Sequence, residues 1–469
     1  MRIDVETISE YAHSAMLRYA TTVIEDRALP DLYDGLKPVQ RRNLYGMYAM
    51  GLNSKHEPVK AARVVGNVMG LYHPHGDSSI FSGLVTLANQ PTNPVRGVGN
   101  WGSMTADPGA MRYINCHLSK YADLTMFNPA YTPVMDLIPN YDEKDEEAAV
   151  LPCLLPNLLL NGAFGVAVAT TCNIPSFKLD GVIKLVQLGL HSTITALDCA
   201  KNLALNLTYG GYAYLEEKEY KTEWLNFFKT GIGSICICPE HRYDAKTRTI
   251  QVFGFPPGLN LTNVMGTILD LGTVDRVYES TDVNSTDKCT VDIVLSSAAK
   301  DVLEANKTEV LELLERTSHF KTNVTVRDFV DGVLTTKFKA TTVPDILNEW
   351  VIRRVALEVK ALQYAIQQIK DKIERVELLI YAVDNRKVIL SCLDAADVDL
   401  ALSKALGVSL EVAKQILDLQ IRRLSTMDKT KLVAQLKGLN SELKQHQIWL
   451  KKPKDKIFAD LGSIQDQLV

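Results

Sequence analysis

Tyr113 directly follows Arg112 in the stretch Asp107-Pro-Gly-Ala-Met-Arg112-Tyr113. A phenol beside a guanidinium has the parts for phosphoryl transfer. The tyrosine oxygen can attack phosphorus while the cation holds charge that develops on the phosphoryl oxygens. Upstream, Tyr72-His73-Pro74-His75-Gly76-Asp77 supplies two imidazoles and a carboxylate. They could donate to a phosphodiester, hold a turn or ligate a metal, but a metal needs further ligands and no partner cluster is evident. Gly97-Val-Gly99-Asn-Trp-Gly102 matches G-x-G-x-x-G in form. A dinucleotide turn needs a strand before it and a helix after it. Here Pro91 and Pro94 precede it and Ser103 to Pro108 follow, so it reads as a glycine loop leading toward Arg112-Tyr113.

These groups need elements to position them. Turn residues at Pro30-Asp31 and Asp34-Gly35 run through Lys37-Pro38 into a helix opened by Arg41 and Arg42. Lys37, Arg41 and Arg42 then lie near a helix N-terminus, where backbone N–H groups also favour phosphate. A second helix is expected after Gly76, capped by Asp77 or Ser78 and running to about Asn89. Two short helices with a basic entry are consistent with a helix-turn-helix relative, and equally with solvated positive helix ends. Ile8 to Glu25 reads as an amphipathic arm that stops before Leu29-Pro30.

With 469 residues, 46% of them hydrophobic, the chain can build several cores. Its net charge of −4 gives no whole-chain signature of a nucleic-acid binder. The distribution differs: Arg27 to Lys120 holds 10 Lys and Arg against 5 Asp and Glu, a local field that attracts a polyanion. Eight cysteines without a Cys-x-x-Cys pair indicate neither a zinc site nor a disulfide framework. The acidic start and the lack of a long apolar run predict a cytoplasmic protein without a membrane span.

Further along, Tyr141 to Glu147 is an acidic loop. Ser234–Cys238 and Thr249–Phe253 read as antiparallel strands around a polar turn at Asp244-Ala-Lys, with helices over 262–271 and 300–316. Val355, Val359, Leu362, Ile366, Ile369, Ile373, Val376, Ile380 and Val383 repeat with 4-3 spacing. Leu432, Leu436, Leu439, Leu443, His446 and Leu450 repeat it later, which predicts two coiled-coil arms around a small helical segment. The first arm would be about 60 Å long.

Taken together, Arg27-Ala-Leu-Pro-Asp, Asp34-Gly-Leu-Lys-Pro-Val, Tyr72-His-Pro-His-Gly-Asp, Gly99-Asn-Trp-Gly-Ser and Met-Arg112-Tyr113 resemble the breakage-reunion subunit of type IIA DNA topoisomerases. That is the A subunit of gyrase and topoisomerase IV, with its viral counterparts. The likeness continues through Leu151-Pro, Pro156 to Gly162, Gly165-Val-Ala-Val and Asn173-Ile-Pro175, and more generally over the whole chain.

The resemblance implies an α+β multidomain fold. Its parts would be a helical arm (1–26), a winged-helix cleavage domain (27–145), a tower-like α/β platform (146–340), antiparallel coiled-coil arms (341–386 and 431–456), a helical dimer gate (387–430) and a tail (457–469). It implies Tyr113 as nucleophile, forming a transient 5′-phosphotyrosyl link to DNA. Arg112 and Arg27 would stabilise charge and His73 and His75 would donate hydrogen bonds. Lys37, Arg41 and Arg42 would hold the flanking backbone. Val166 stands at the family's DNA-kinking wedge, where isoleucine is usual. Ser78 matches a serine that quinolones contact in bacterial enzymes, whereas Ser82 stands where an acidic residue is common. Gln40 and Tyr33 replace a usual histidine and a common arginine.

The chain carries no G-x-x-x-x-G-K-[ST] loop and no Glu-Gly-Asp-Ser-Ala signature. ATP and Mg2+ would therefore be bound by a B-type partner subunit in an A2B2 assembly around a homodimer of this chain, acting on double-stranded DNA. The absence of a wrapping propeller favours relaxation or decatenation over gyrase-type supercoiling. The short length resembles the viral enzymes, which would place it in a host cytoplasm. Two other readings use the same residues. One is a non-catalytic DNA-binding, coiled-coil dimerisation protein with an idle Tyr113, and the other a metallohydrolase on His73, His75 and Asp77.

Overall fold

The computed structural model describes residues 7–23, 27–103, 106–168, 170–207, 210–253, 261–280, 290–298, 300–316, 319–327, 338–393, 395, 397–418 and 429–468. It is a mixed α+β chain in two compact units, Met1–Arg354 with Asp460–Val469, and Val355–Ala459.

The first unit opens with α1 (Ile8–Val23), α2 (Pro38–Ala49), β1 (Val59–Lys60), α3 (Ala61–Leu71), α4 (Asp77–Asn89), β2 (Val95–Val98) and β3 (Asn115–Leu118). Pro38 starts α2, where its missing N–H costs nothing. Gln40 accepts from the Lys37 N–H at 3.0 Å, so the residue that replaces the usual histidine caps the helix. Leu44 and Met47 of α2, Val64, Val65 and Val68 of α3, and Ile80, Leu84 and Leu87 of α4 are buried at helical spacing. The expected pair of helices is thus a group of three. The sequence pattern hides α3 because Gly66 and Gly70 punctuate its short β-branched run. α4 starts at Asp77 with Gly76 as its cap, one residue before the expected Asp77 cap and two before Ser78.

The three strands form an antiparallel sheet in the order β1-β3-β2. Gly97 therefore lies in a strand and not in the expected loop. A side chain there would meet the Trp101 ring at 2.5 Å, so glycine lets the indole close over β2.

Next come α5 (Lys120–Thr125), β4 (Leu137–Pro139), β5 (Glu146–Ala148), α6 (Asn157–Asn161), β6 (Ala163–Ala167), β7 (Thr170–Ile174), α7 (Leu179–Gly189) and α8 (Ala196–Asn202). β8 (Tyr212–Ala213), α9 (Lys218–Thr230), β9 (Ile232–Cys238), β10 (Glu240–Asp244), β11 (Thr249–Phe253), α10 (Leu261–Leu269), β12 (Val274–Glu279) and β13 (Thr290–Leu295) follow. α11 (Lys300–Arg316), β14 (His319–Asn323), β15 (Thr325–Arg327) and β16 (Phe338–Ala340) complete the series. The acidic loop is the turn of the β4–β5 hairpin.

One expected pairing is overturned. Ser234–Cys238 belongs to β9 of a five-stranded sheet, order β6-β7-β14-β9-β8, whereas Thr249–Phe253 pairs with Glu240–Asp244 in a separate sheet, β10-β11-β13-β12. Pro239 lies between β9 and β10, where a residue without an N–H cannot carry a ladder onward. The second sheet packs Ile250, Val252, Val291 and Ile293 against Leu261, Ile268, Val310 and Leu314 of α10 and α11.

α12 (Val343–Asp384) runs for 42 residues, about 60 Å, into the second unit. α13 (Arg386–Cys392), α14 (Val398–Leu406) and α15 (Leu410–Asp418) follow, with Ala382, Ile389, Leu402, Ala413 and Ile416 buried together. α16 (Lys429–Lys451) comes next, and Lys429 Nζ reaches both Asp384 carboxylate oxygens. Leu362, Ile366, Ile369 and Val376 of the first stripe are buried, whereas the second stripe on α16 is only half-buried. Pro453 opens a last helix, α17 (Pro453–Leu468), so the expected tail is helical. No described helix is long and apolar enough to cross a membrane.

Candidate nucleic-acid interface

Tyr113 ends the turn that enters β3. Its N–H donates to Ala110 O at 2.8 Å and its carbonyl accepts from Lys60 Nζ at 3.2 Å. The neighbouring Ile114 is buried, and its carbonyl accepts from Ala61 N–H at 3.0 Å. The backbone is thus pinned by β1 and α3 while the Tyr113 ring is 69% exposed. The Arg112 guanidinium lies 4.7 Å from the ring centroid, over the face, which leaves the hydroxyl edge open to an incoming group.

A groove of about 1130 Å³ lies in the same unit, lined among others by Arg27, Lys37, His73, His75 and Ser78. Arg112 and Tyr113 are not among its lining residues, although Asp107 and Pro108 of the same segment are. The expected site residues therefore divide into a groove set and an exposed Arg112–Tyr113 pair.

His73 is buried, and its ring meets His75 edge to face with centroids 4.8 Å apart. Arg42 Nη1 donates to His73 Nδ1 at 3.0 Å. Nδ1 must then be the acceptor, so Nε2 carries the proton. Burial first, then the Arg42 and His75 charges, push the imidazole down to about 4. His73 is consequently a neutral donor at neutral pH. Its folded pKa lies below the ordinary 6.5, so the stability it contributes is present above 6.5 and is lost as pH falls toward 4. Histidine NMR should show this ring titrating near 4, and Arg42→Ala should move the midpoint upward; an unchanged midpoint would refute the role given to Arg42.

The paired arginines do not face the groove as their sequence position suggests. Arg41 is buried and grips Asp34 through Nε at 2.6 Å and Nη2 at 2.9 Å. Arg42 binds Glu147 through Nε at 2.7 Å and Nη2 at 2.8 Å. Both guanidiniums are engaged internally, Arg41 shaping the Asp34-Gly35 turn and Arg42, its side chain 24% exposed, holding His73. Tyr33 is likewise core, stacked on Trp350 at 6.1 Å with its hydroxyl donating to Cys153 O at 3.3 Å.

Lys37 keeps its place beside the groove. Its Nζ donates to Phe164 O at 2.7 Å, and burial, with a contribution from Arg27, lowers its pKa. Arg27, exposed, shares a smaller cavity of about 400 Å³ with Lys37 and Val166. Val166 is 63% exposed on β6, and Ser78 is exposed near the start of α4. Phe164, 68% exposed on the same strand, also lines the groove, and its period-2 spacing from Val166 is a signal visible in the sequence. Among the described residues no three or more His, Cys, Asp or Glu side chains converge as a metal site.

The family model for the A subunit of DNA gyrase and topoisomerase IV matches residues 27–461. The chain is 29% identical over 466 residues to the chloroplastic/mitochondrial DNA gyrase A subunit of Nicotiana benthamiana, covering 94% of this chain and 48% of that protein. It is 29% identical to the DNA topoisomerase 4 A subunit of Neisseria gonorrhoeae, covering 94% and 60%. It is 30% identical to the DNA gyrase A subunit of Staphylococcus aureus strain NCTC 8325 / PS 47, covering 93% and 50%. The chain thus spans about half the length of the curated relatives it matches. With a family match over most of its length, this chain belongs to the family of DNA gyrase and topoisomerase IV A subunits.

Proposed function

We propose that the chain is the DNA cleavage–religation subunit of an ATP-dependent type IIA topoisomerase. The observation that carries this reading is the exposed Tyr113 under the Arg112 guanidinium, on a backbone pinned by neighbouring elements. The Tyr113 oxygen attacks a DNA phosphorus, forming an O–P bond as the bond to the 3′-oxygen breaks. The phenolic proton is lost to solvent or a nearby base, and the leaving 3′-oxygen takes up a proton. Religation reverses each transfer, and the phosphotyrosyl ester conserves the bond energy. Arg112 and Arg27 stabilise charge on the phosphoryl oxygens, and neutral His73, with His75, donates from the groove. Lys37 and Ser78 line the path of the duplex backbone and Val166 is the wedge.

In this reading α2 to α4 with the small β1-β3-β2 sheet act as a winged-helix unit, the larger sheets as a platform, and α12 and α16 as coiled-coil arms leading to a dimer gate at α13 to α15. Two tyrosines cut two strands, so the working form is a homodimer joined by B-type subunits. Those subunits bind ATP and the magnesium that supports cleavage. Relaxation or decatenation, through passage of a second duplex, is the activity to assay.

The test is covalent trapping. The chain, its partner subunit, magnesium and labelled nicked duplex are mixed and rapidly denatured. The expected product is protein joined to a 5′ end. Tight duplex binding without any adduct, in the presence of a competent partner, would instead identify a non-catalytic DNA-binding protein.

A further inference from the structure

Phe164 and Val166 stand on one face of β6, with cross-strand partners Asn173 and Thr171 on β7. The opposite face is closed, with Gly165, Cys172 and Ile174 buried. Both apolar side chains project from an open surface, 68% and 63% exposed. The surrounding face is polar and cationic. Asn323 lies beside Asn173 and donates to Thr171 Oγ1 at 3.1 Å, and Lys321 is exposed two residues before it. Two further cations lie at the strand's other side: Lys37 Nζ would be 3.4 Å from a Cβ on buried Gly165, and Arg27 and Lys37 line a cavity together with Val166. The next exposed apolar side chain on this row, Ile232, is three strands away, roughly 14 Å at the usual strand spacing.

A protein interface would call for a contiguous apolar patch. Two isolated apolar tips on a cationic, polar face suit a stacked polyanion. We propose that Phe164 is a second wedge, entering a duplex beside Val166 and stacking its ring on an unstacked base. The inference rests on the duplex-binding reading given above. Side chains two residues apart on a strand are separated by about 6.8 Å, or two base-pair rises. Phe164 and Val166 therefore open neighbouring but distinct steps. The ring brings an aromatic face that valine lacks, and this makes the pair tolerant of sequence at the Phe164 step.

The experiment uses the full chain carrying Tyr113→Phe, so that no cleavage intervenes. Short duplexes carry 2-aminopurine at successive positions and a donor–acceptor pair at their ends. The expected result is bright 2-aminopurine at two separated steps and a shortened end-to-end distance. Phe164→Ala should silence one step, reduce the bend and weaken binding about tenfold. Val166→Ala should silence the other step. Phe164→Trp should preserve both steps, its added indole being quenched on binding. The proposal falls if Phe164→Ala matches its parent in brightness and bend, or if it no longer joins the partner subunit while its DNA signals persist. If the parent binds no duplex at all, the functional reading falls as well. Trapped adducts formed normally by Phe164→Ala in the chain that keeps Tyr113, with unstacking unchanged by Phe164→Ala in the Tyr113→Phe chain, would sink this inference alone.

Discussion

Phenylalanine at Tyr113 should eliminate the covalent DNA adduct, lowering strand cleavage by more than about 10⁴-fold, while duplex affinity stays within about twofold. The selectivity of that loss follows from the geometry. The ring is 69% exposed, so the hydroxyl contributes nothing to core packing. Arg112 lies over the ring face, a contact that phenylalanine retains. Only the hydroxyl oxygen, the proposed nucleophile, disappears. Arg112→Ala removes a cation and leaves the nucleophile, so cleavage should fall by a smaller factor, about 10²- to 10³-fold. Denaturing gels of end-labelled nicked duplex, run with the partner subunit present, measure both. Persistent adduct in Tyr113→Phe would move the nucleophile to another side chain.

The second large effect concerns stability. Asp34→Ala should cost the first unit about 3–5 kcal/mol, because it strands the buried Arg41 charge. Asp34 accepts from Arg41 Nε and Nη2, from Leu36 N–H at 2.9 Å and from Leu151 N–H at 3.0 Å. All these donors are buried and cannot find water. One neighbour softens the loss. Asp31 is pushed up to about 6, first by burial and then by the Asp34 charge, so without Asp34 it ionises more easily and can answer part of the Arg41 charge. Asp34→Asn, which keeps the shape, should fall between the parent chain and Asp34→Ala. Denaturant midpoints followed by tryptophan fluorescence provide the measurement. A loss below about 1 kcal/mol for Asp34→Ala would mean that the Arg41–Asp34 pair is dispensable.

What can be read from the chain and what cannot divide along physical lines. The Arg112–Tyr113 dipeptide, the His73-Pro-His75 turn and the 4-3 stripe of α12 are local patterns, and spacing alone exposes them. Engagement of a side chain is not local. Arg41 and Arg42 look like free cations in the sequence because their partners' geometry is hidden there. Glu147 lies 105 positions from Arg42, and Asp34 approaches Arg41 only once the turn at Gly35 is made. Strand pairing fails for the same reason: hydrophobic alternation identifies the β9 and β11 segments but cannot say that they belong to different sheets. α3 is illegible because two glycines in a short β-branched run argue against a helix that tertiary burial of Val64, Val65 and Val68 then imposes. The family pattern singles out Val166 alone, and the exposure of Phe164 emerges only from the folded hairpin.

The mounting of the β6–β7 hairpin has a mechanical consequence. Lys37 Nζ ties down the Phe164 carbonyl, and any side chain on Gly165 would strike the Ala28 carbonyl oxygen at 2.1 Å, so strand and floor are in direct backbone contact. On the other side, Asn323 clamps Thr171. A tip braced this closely has little compliance, whereas duplex DNA is an elastic rod whose bending over a short site costs about 1–6 kcal/mol. In the duplex-binding reading proposed above, the rod would yield and the anvil would not, and the strain would be stored in the nucleic acid, to recoil when the duplex is released.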